Sequence, residues 1–226
     1  MFRAAAIVAL VASGLIALSS CSSGQPASTA ANTTSTTARP ASSPPGSSPA
    51  PAASATSTAA AANVSTSSVR IRFLTEVFAT PLPSDPAKAK VIEGFRESQI
   101  LWDQSTEELR IVPSATEYIT GKALVNLRDA VTSGAKDGVA LGGTDRLYDT
   151  TVSWLTSKSA SVTSCDDGSK TSSVDLATRQ KIPNDPNAPQ TVLVIWQMSP
   201  VGGHWAITSL EVITPPDPRF NVCLTQ

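Results

Sequence analysis

The sequence predicts an α+β domain over residues 69–226, with helices first and antiparallel strands after them. Three observations predict it. Composition changes abruptly at Val69, where charged and aromatic side chains appear after a long run with only Arg39 as a charge. Two stretches, about 86–104 and 115–133, carry apolar residues at near-helical spacing. From Val139 onward the apolar period becomes alternating, as in half-buried strands. Helical runs followed by strand runs form an α+β arrangement.

Arg70-Ile71-Arg72-Phe73 and Val77-Phe78 open the domain, and Pro81, Pro83 and Pro86 favour an extended entry over helix. Ser84 or Asp85 can cap the first helix, with Pro86 in its first turn. Val91, Phe95, Ile100, Leu101 and Trp102 form its apolar set. Beyond Pro113, Ser114-Ala115-Thr116-Glu117 is a capping-box pattern. Tyr118, Ala123, Leu124, Leu127 and Val131 then share one helical face, and Gly134 is the expected stop. A helix between these two is weakly encoded, with Ser105–Ile111 good for a turn or so.

In the second half, a strand over 145–155 is expected to put Tyr148, Val152 and Trp154 on one face, with Asp149 on the other. A strand over 158–166 ends at Cys165, and Asp166-Asp167-Gly168-Ser169 reads as a turn. Val174–Lys181 is the next strand, and 183–189 is a loop. Thr191–Met198 is apolar on both faces, which suggests a central, covered strand. Gly202-Gly203 then turns the chain into a last strand, His204–Ile213.

Ahead of the domain, Arg3 and the apolar run Ala4–Leu18 have the shape of a secretory leader, too short for a permanent membrane span. Leu18-Ser19-Ser20-Cys21 resembles the bacterial lipobox. The resemblance implies that residues 1–20 are a lipoprotein signal peptide and that Cys21 is the lipidated first residue of the mature chain. The expected location is the extracytoplasmic face of the cell membrane, held through the lipid on Cys21. Residues 21–68 follow as a Ser/Thr/Ala/Pro-rich tether, without the large apolar side chains that would offset its ordering entropy. Its reach would lie between roughly 35 Å as a flexible coil and roughly 140 Å fully extended.

The net charge of −1 points to no nucleic-acid partner. With Cys21 assigned to lipid, Cys165 and Cys223 remain as an even pair in an exported chain, which reads as a disulfide. Neither has a partner at metal-ligand spacing, and His204 is the only histidine, so no metal site is expected. No Gly-rich phosphate loop or nucleophile elbow is present, and no cofactor is expected.

Tyr118-Ile119-Thr120-Gly121-Lys122-Ala123-Leu124, Cys165-Asp166-Asp167 and Gly203-His204-Trp205-Ala206-Ile207 resemble small actinobacterial lipoproteins with a nuclear-transport-factor-2-like domain. That resemblance covers about residues 70–226 and implies helices packed in a curved antiparallel sheet, a cone whose open end is a pocket. Tyr118, Tyr148, Asp149, Trp154, His204 and Trp205 are the candidate pocket residues. Enzymes of that fold generally place an Asp–His pair or an Asp/Tyr set there.

Two functions follow. One is a non-enzymatic binding or interaction module for a small apolar ligand or a cell-envelope protein. The other is a cone-pocket enzyme of isomerase or hydrolase type, with Asp149 and Tyr148 as its groups. If carboxylate and imidazole converge in an apolar cavity, the enzyme gains; if aromatic side chains fill the interior, the binder does.

Overall fold

The computed structural model describes residues 66–224. The expected leader, Cys21 and nearly all of the tether lie outside the described residues. Among those residues no helix is long and apolar enough to cross a membrane.

The entry is a hairpin. Strand β1, Ser67–Arg70, pairs antiparallel with β2, Leu74–Phe78, and Ile71 and Leu74 exchange backbone hydrogen bonds across its turn. Helix α1, Pro86–Glu108, follows. Asp85 caps it as expected: its Oδ1 accepts from the N–H groups of Ala87 at 2.8 Å and Lys88 at 3.3 Å. The helix runs four residues past the predicted end at 104. Ser105 stays inside it, with its hydroxyl bonded to the Leu101 carbonyl at 2.7 Å.

The single helix expected over 115–133 is in fact two. Helix α2, Ala115–Tyr118, stops at Ile119, and α3 spans Gly121–Asp137. Tertiary pairing breaks the helix. Ile119 bridges to Ile207 in the last strand, and the Thr120 N–H donates to the Ile207 carbonyl at 2.8 Å. Gly121 restarts the helix at φ +54°, with the Thr208 carbonyl so near that a Cβ would lie 2.9 Å from it. The Ser114 side chain makes no capping bond, so the capping-box pattern is not used. Gly134 is buried inside α3 rather than ending it. The stop is Gly138 at φ +65°, whose N–H reaches back to the Gly134 carbonyl.

Five further strands complete a seven-stranded sheet: β3, Val139–Leu155; β4, Ala160–Asp175; β5, Lys181–Ile182; β6, Thr191–Val201; and β7, His204–Ile213. Its order is β1-β2-β3-β4-β6-β7, with β5 on β4. The β2–β3 pair is parallel and the others are antiparallel. The result is a curved sheet with helices against one face, an α+β architecture as predicted.

The Asp166–Ser169 turn does not form, because β4 runs straight through it. Asp167 pairs with Arg146 on one side and Thr191 on the other, and two-sided ladder pairing outweighs local turn preference. Reversal comes later, at Leu176–Gln180, where Asp175 Oδ1 accepts from Ala177 and Thr178. The expected strand 174–181 is therefore a strand end, a turn and the first residue of β5.

Strand β6 carries the two-faced pattern that predicted it. Val192, Val194, Trp196 and Met198 face the helices and join Phe95, Trp102, Ile119, Leu127 and Ile207 in the main core. Leu193 belongs to a second cluster with Tyr148, Cys165, Ile213, Phe220 and Cys223. A closing 3-10 helix, Pro218–Leu224, supplies the last two of these. Cys165 and Cys223 are joined as the predicted disulfide, with Cα atoms 5.7 Å apart.

Candidate functional site

Of the six predicted pocket residues, the fold gathers three. Tyr118 ends α2, and His204 opens β7 immediately after the Gly202-Gly203 turn. Their rings stack at 4.0 Å between centroids and 25° between planes. His204 Nε2 lies 3.2 Å from the Glu117 carbonyl, so with its proton on that nitrogen it donates there. Ser98 anchors the Tyr118 backbone from α1, donating to its carbonyl at 2.9 Å. Trp205 is half-buried against the main core, and its carbonyl oxygen lies 2.5 Å from where a Cβ on Gly94 would stand. This trio forms a rim where the helices meet the start of β7.

The other three do not join it. Tyr148 lies on the opposite face of the sheet beside the disulfide, with its hydroxyl donating to the Cys223 carbonyl at 3.0 Å. The Arg146 guanidinium sits 4.9 Å over its ring. Burial, then the charges of Asp167 and Asp149, push its hydroxyl above the usual tyrosine range. Asp149 has φ +49° inside the irregularity that shifts register between Tyr148 and Thr151. A second shift between Val152 and Trp154 changes the phase again, leaving Trp154 51% exposed. The expected common face of Tyr148, Val152 and Trp154 is thus broken by two bulges, each of which re-aims the side chains after it.

Distance separates the would-be acid–base pair as well. Tyr148 pairs with Cys165, and Cys165 with Leu193, whereas His204 pairs with Val201, eight residues further along β6. At about 3.3 Å per residue that is roughly 25 Å of sheet. Between helices and sheet, meanwhile, the space holds Trp102, Trp196 and Phe95, the last two with ring centroids 5.8 Å apart.

The arrangement that sequence reasoning missed is a buried group of carboxylates. Glu76 on β2, Asp103 on α1 and Asp145 on β3 each place an oxygen within 4.8 Å of the others, and none is more than 1% exposed. Register explains two of them, since Glu76 and Asp145 are direct partners across the parallel β2–β3 pair. Asp103 comes from the helix packed on those strands. Glu107 stands one turn further along α1, also 1% exposed. Its two oxygens accept from the Phe73 N–H at 3.0 and 3.2 Å. Burial, with a smaller push from the Asp103 charge, raises the Glu107 carboxyl to about 7, against the Phe73 and Leu74 N–H groups and Arg72.

Two sequence signals pointed there. Gln99, Asp103 and Glu107 recur every four residues on the side of α1 that carries Phe95, and Glu76 falls between inward-facing Leu74 and Phe78. A polar residue on an apolar stripe is the observation to follow.

No protein-family model matches the sequence, and no curated protein matches it. Among solved structures, the chain is similar to the intermembrane space region of the chloroplast protein ARC6, at 14% identity and TM-score 0.40 over 58% of this chain and 99% of that one. An aromatic ring hydroxylase-like protein from Novosphingobium aromaticivorans aligns at 8% identity and TM-score 0.41, over 56% of this chain and 90% of that one. Aln2 from a Streptomyces species aligns at 13% identity and TM-score 0.40, over 65% of this chain and 100% of that one.

Proposed function

We propose that this chain is a lipid-anchored, extracytoplasmic binding or interaction module of the cell envelope, with a non-enzymatic domain of nuclear-transport-factor-2-like build. One observation carries the preference for binding over catalysis: the aspartate and the histidine that a cone-pocket enzyme would pair sit roughly 25 Å apart on the sheet. The aromatic filling between helices and sheet supports the same reading. The second reading, a cone-pocket isomerase or hydrolase, would draw on Asp149 and Tyr148.

The anchor and location rest on Leu18-Ser19-Ser20-Cys21, and the uncharged run behind it suits a stalk that lets a domain search a volume near the membrane. The rim of Tyr118, His204 and Trp205 is where a small apolar ligand or an envelope protein would be met. Native mass spectrometry of the full-length chain taken from its membrane tests the proposal. A co-purified small molecule or a stable protein partner, lost on Trp205→Ala, is the expected result. Turnover of a small apolar substrate that depends on Asp149 would overturn it.

A further inference from the structure

On the face of the sheet turned away from the helices, paired residues line up in rows across the strands. The row Cys165–Leu193–Ile213 lies under the closing 3-10 helix, held by Phe220 and the disulfide. The next two rows are Thr151–Thr163–Ile195–Glu211 and Trp154–Ser161–Gln197–Ser209. Thr151, Glu211, Trp154 and Gln197 among them are exposed. Four neighbouring strands make this surface about 14 Å wide.

Trp154 is its one large aromatic side chain. Val152, two residues earlier, packs against the main core, so unbroken alternation would carry Trp154 to that side too. The register shift between Val152 and Trp154 turns the indole onto the outer face instead, where it is 51% exposed. The side chains around it are neutral and polar. Gln197 Nε2 donates to Ser161 Oγ at 3.3 Å, and the Thr151 and Thr163 hydroxyls lie 2.9 Å apart. The Ser153 hydroxyl donates to the Ser161 carbonyl at 3.2 Å. Gln197 thus spends one N–H within the sheet and keeps a second N–H and an amide oxygen for a ligand. Glu211 is the one charged side chain in the two rows, at the corner farthest from Trp154, and Arg219 pairs with it at 3.0 Å.

We propose that this face is a glycan-binding platform that takes a neutral sugar chain. A pyranose ring offers an apolar C–H face, which suits a flat exposed indole, and a rim of hydroxyls, which needs donors and acceptors together. Indole, amide and hydroxyl groups stand side by side here. The charge balance selects the occupant: a charged partner would meet no unpaired charge in these rows. A second copy of the chain or an apolar peptide would find only Trp154 and Ile195 as large apolar contacts. The platform shares no residue with the rim of Tyr118, His204 and Trp205, so the two proposals fail separately.

Isothermal titration of the full-length chain with neutral α-glucan, β-glucan and mannan oligomers is the test, with oligogalacturonate as the charged control. At least one neutral oligomer should bind and the control should not. Trp154→Ala should weaken that binding about tenfold or more, as removal of a central aromatic contact does. Gln197→Ala should weaken it less. The exposed indole supports little of the core, so Trp154→Ala should keep the wild-type melting midpoint. Should it not, acrylamide quenching of the wild-type chain decides: saturating glycan should shield the exposed indole, and unchanged quenching ends the idea. Binding of none of the neutral oligomers, or equal binding of the control, overturns the platform. So does binding that survives Trp154→Ala or is lost on Trp205→Ala instead.

Discussion

Tyr148 gives its hydroxyl to the backbone carbonyl of Cys223, 75 residues later, at 3.0 Å. The bond lies beside the Cys165–Cys223 disulfide, so one covalent and one polar link fasten the closing 3-10 helix to the back of the sheet. Tyr148→Phe keeps the ring under Arg146 and removes only the hydroxyl. It should cost about 1 kcal/mol, since a buried carbonyl loses its donor. Equilibrium denaturation measures the loss, and hydrogen exchange should show it concentrated in 218–224.

The disulfide closes 58 residues of chain. Replacing both cysteines by alanine should destabilise the domain by about 4 kcal/mol if loop entropy of the unfolded chain sets the scale. A thermal melt of the double variant against wild type tests this. An unchanged midpoint would mean that packing of Phe220 and the Tyr148 hydrogen bond hold the 3-10 helix without the disulfide.

Helix α1 approaches β7 closely at Gly94, where a Cβ would stand 2.5 Å from the Trp205 carbonyl. Gly94→Ala therefore has to push the helix off the strand, at a cost of about 1–3 kcal/mol. The displacement should also reach the Tyr118–His204 stack, because Ser98 on the same helix holds the Tyr118 carbonyl. A lowered melting midpoint together with a shifted His204 ring resonance is the expected pair of results.

For the anchor, Cys21→Ala should release the chain to the medium or block its processing. Membrane fractionation of cells expressing the variant reads this directly. Retention at the wild-type level would remove the lipid attachment from the proposal.

Much of the fold was legible because it is encoded locally. The Asp85 cap, the alternation of Thr191–Met198 and the bounds of His204–Ile213 depend on residues within a few positions of one another. The misses are non-local. Nothing near Ile119 encodes a helix break that is made by Ile207, and nothing near Asp167 records that strands flank it on both sides. Trp154 was placed with Tyr148 because strict alternation assumes an unbroken ladder, and two bulges intervene. The carboxylate group escaped notice because three elements far apart in sequence supply it. Each member alone reads as an ordinary acidic residue.

The disulfide also sets how the chain responds to being pulled. Force between residue 66 and the C-terminal segment would pass from Cys165 directly to Cys223, so the 57 residues between them cannot extend while the bond survives. The first give would come at β1, which holds the sheet by four residue pairs. A stretched molecule should therefore lengthen first by the few residues of its entry hairpin, with the part of β4 after Cys165 and all of β6 and β7 kept slack inside a closed loop.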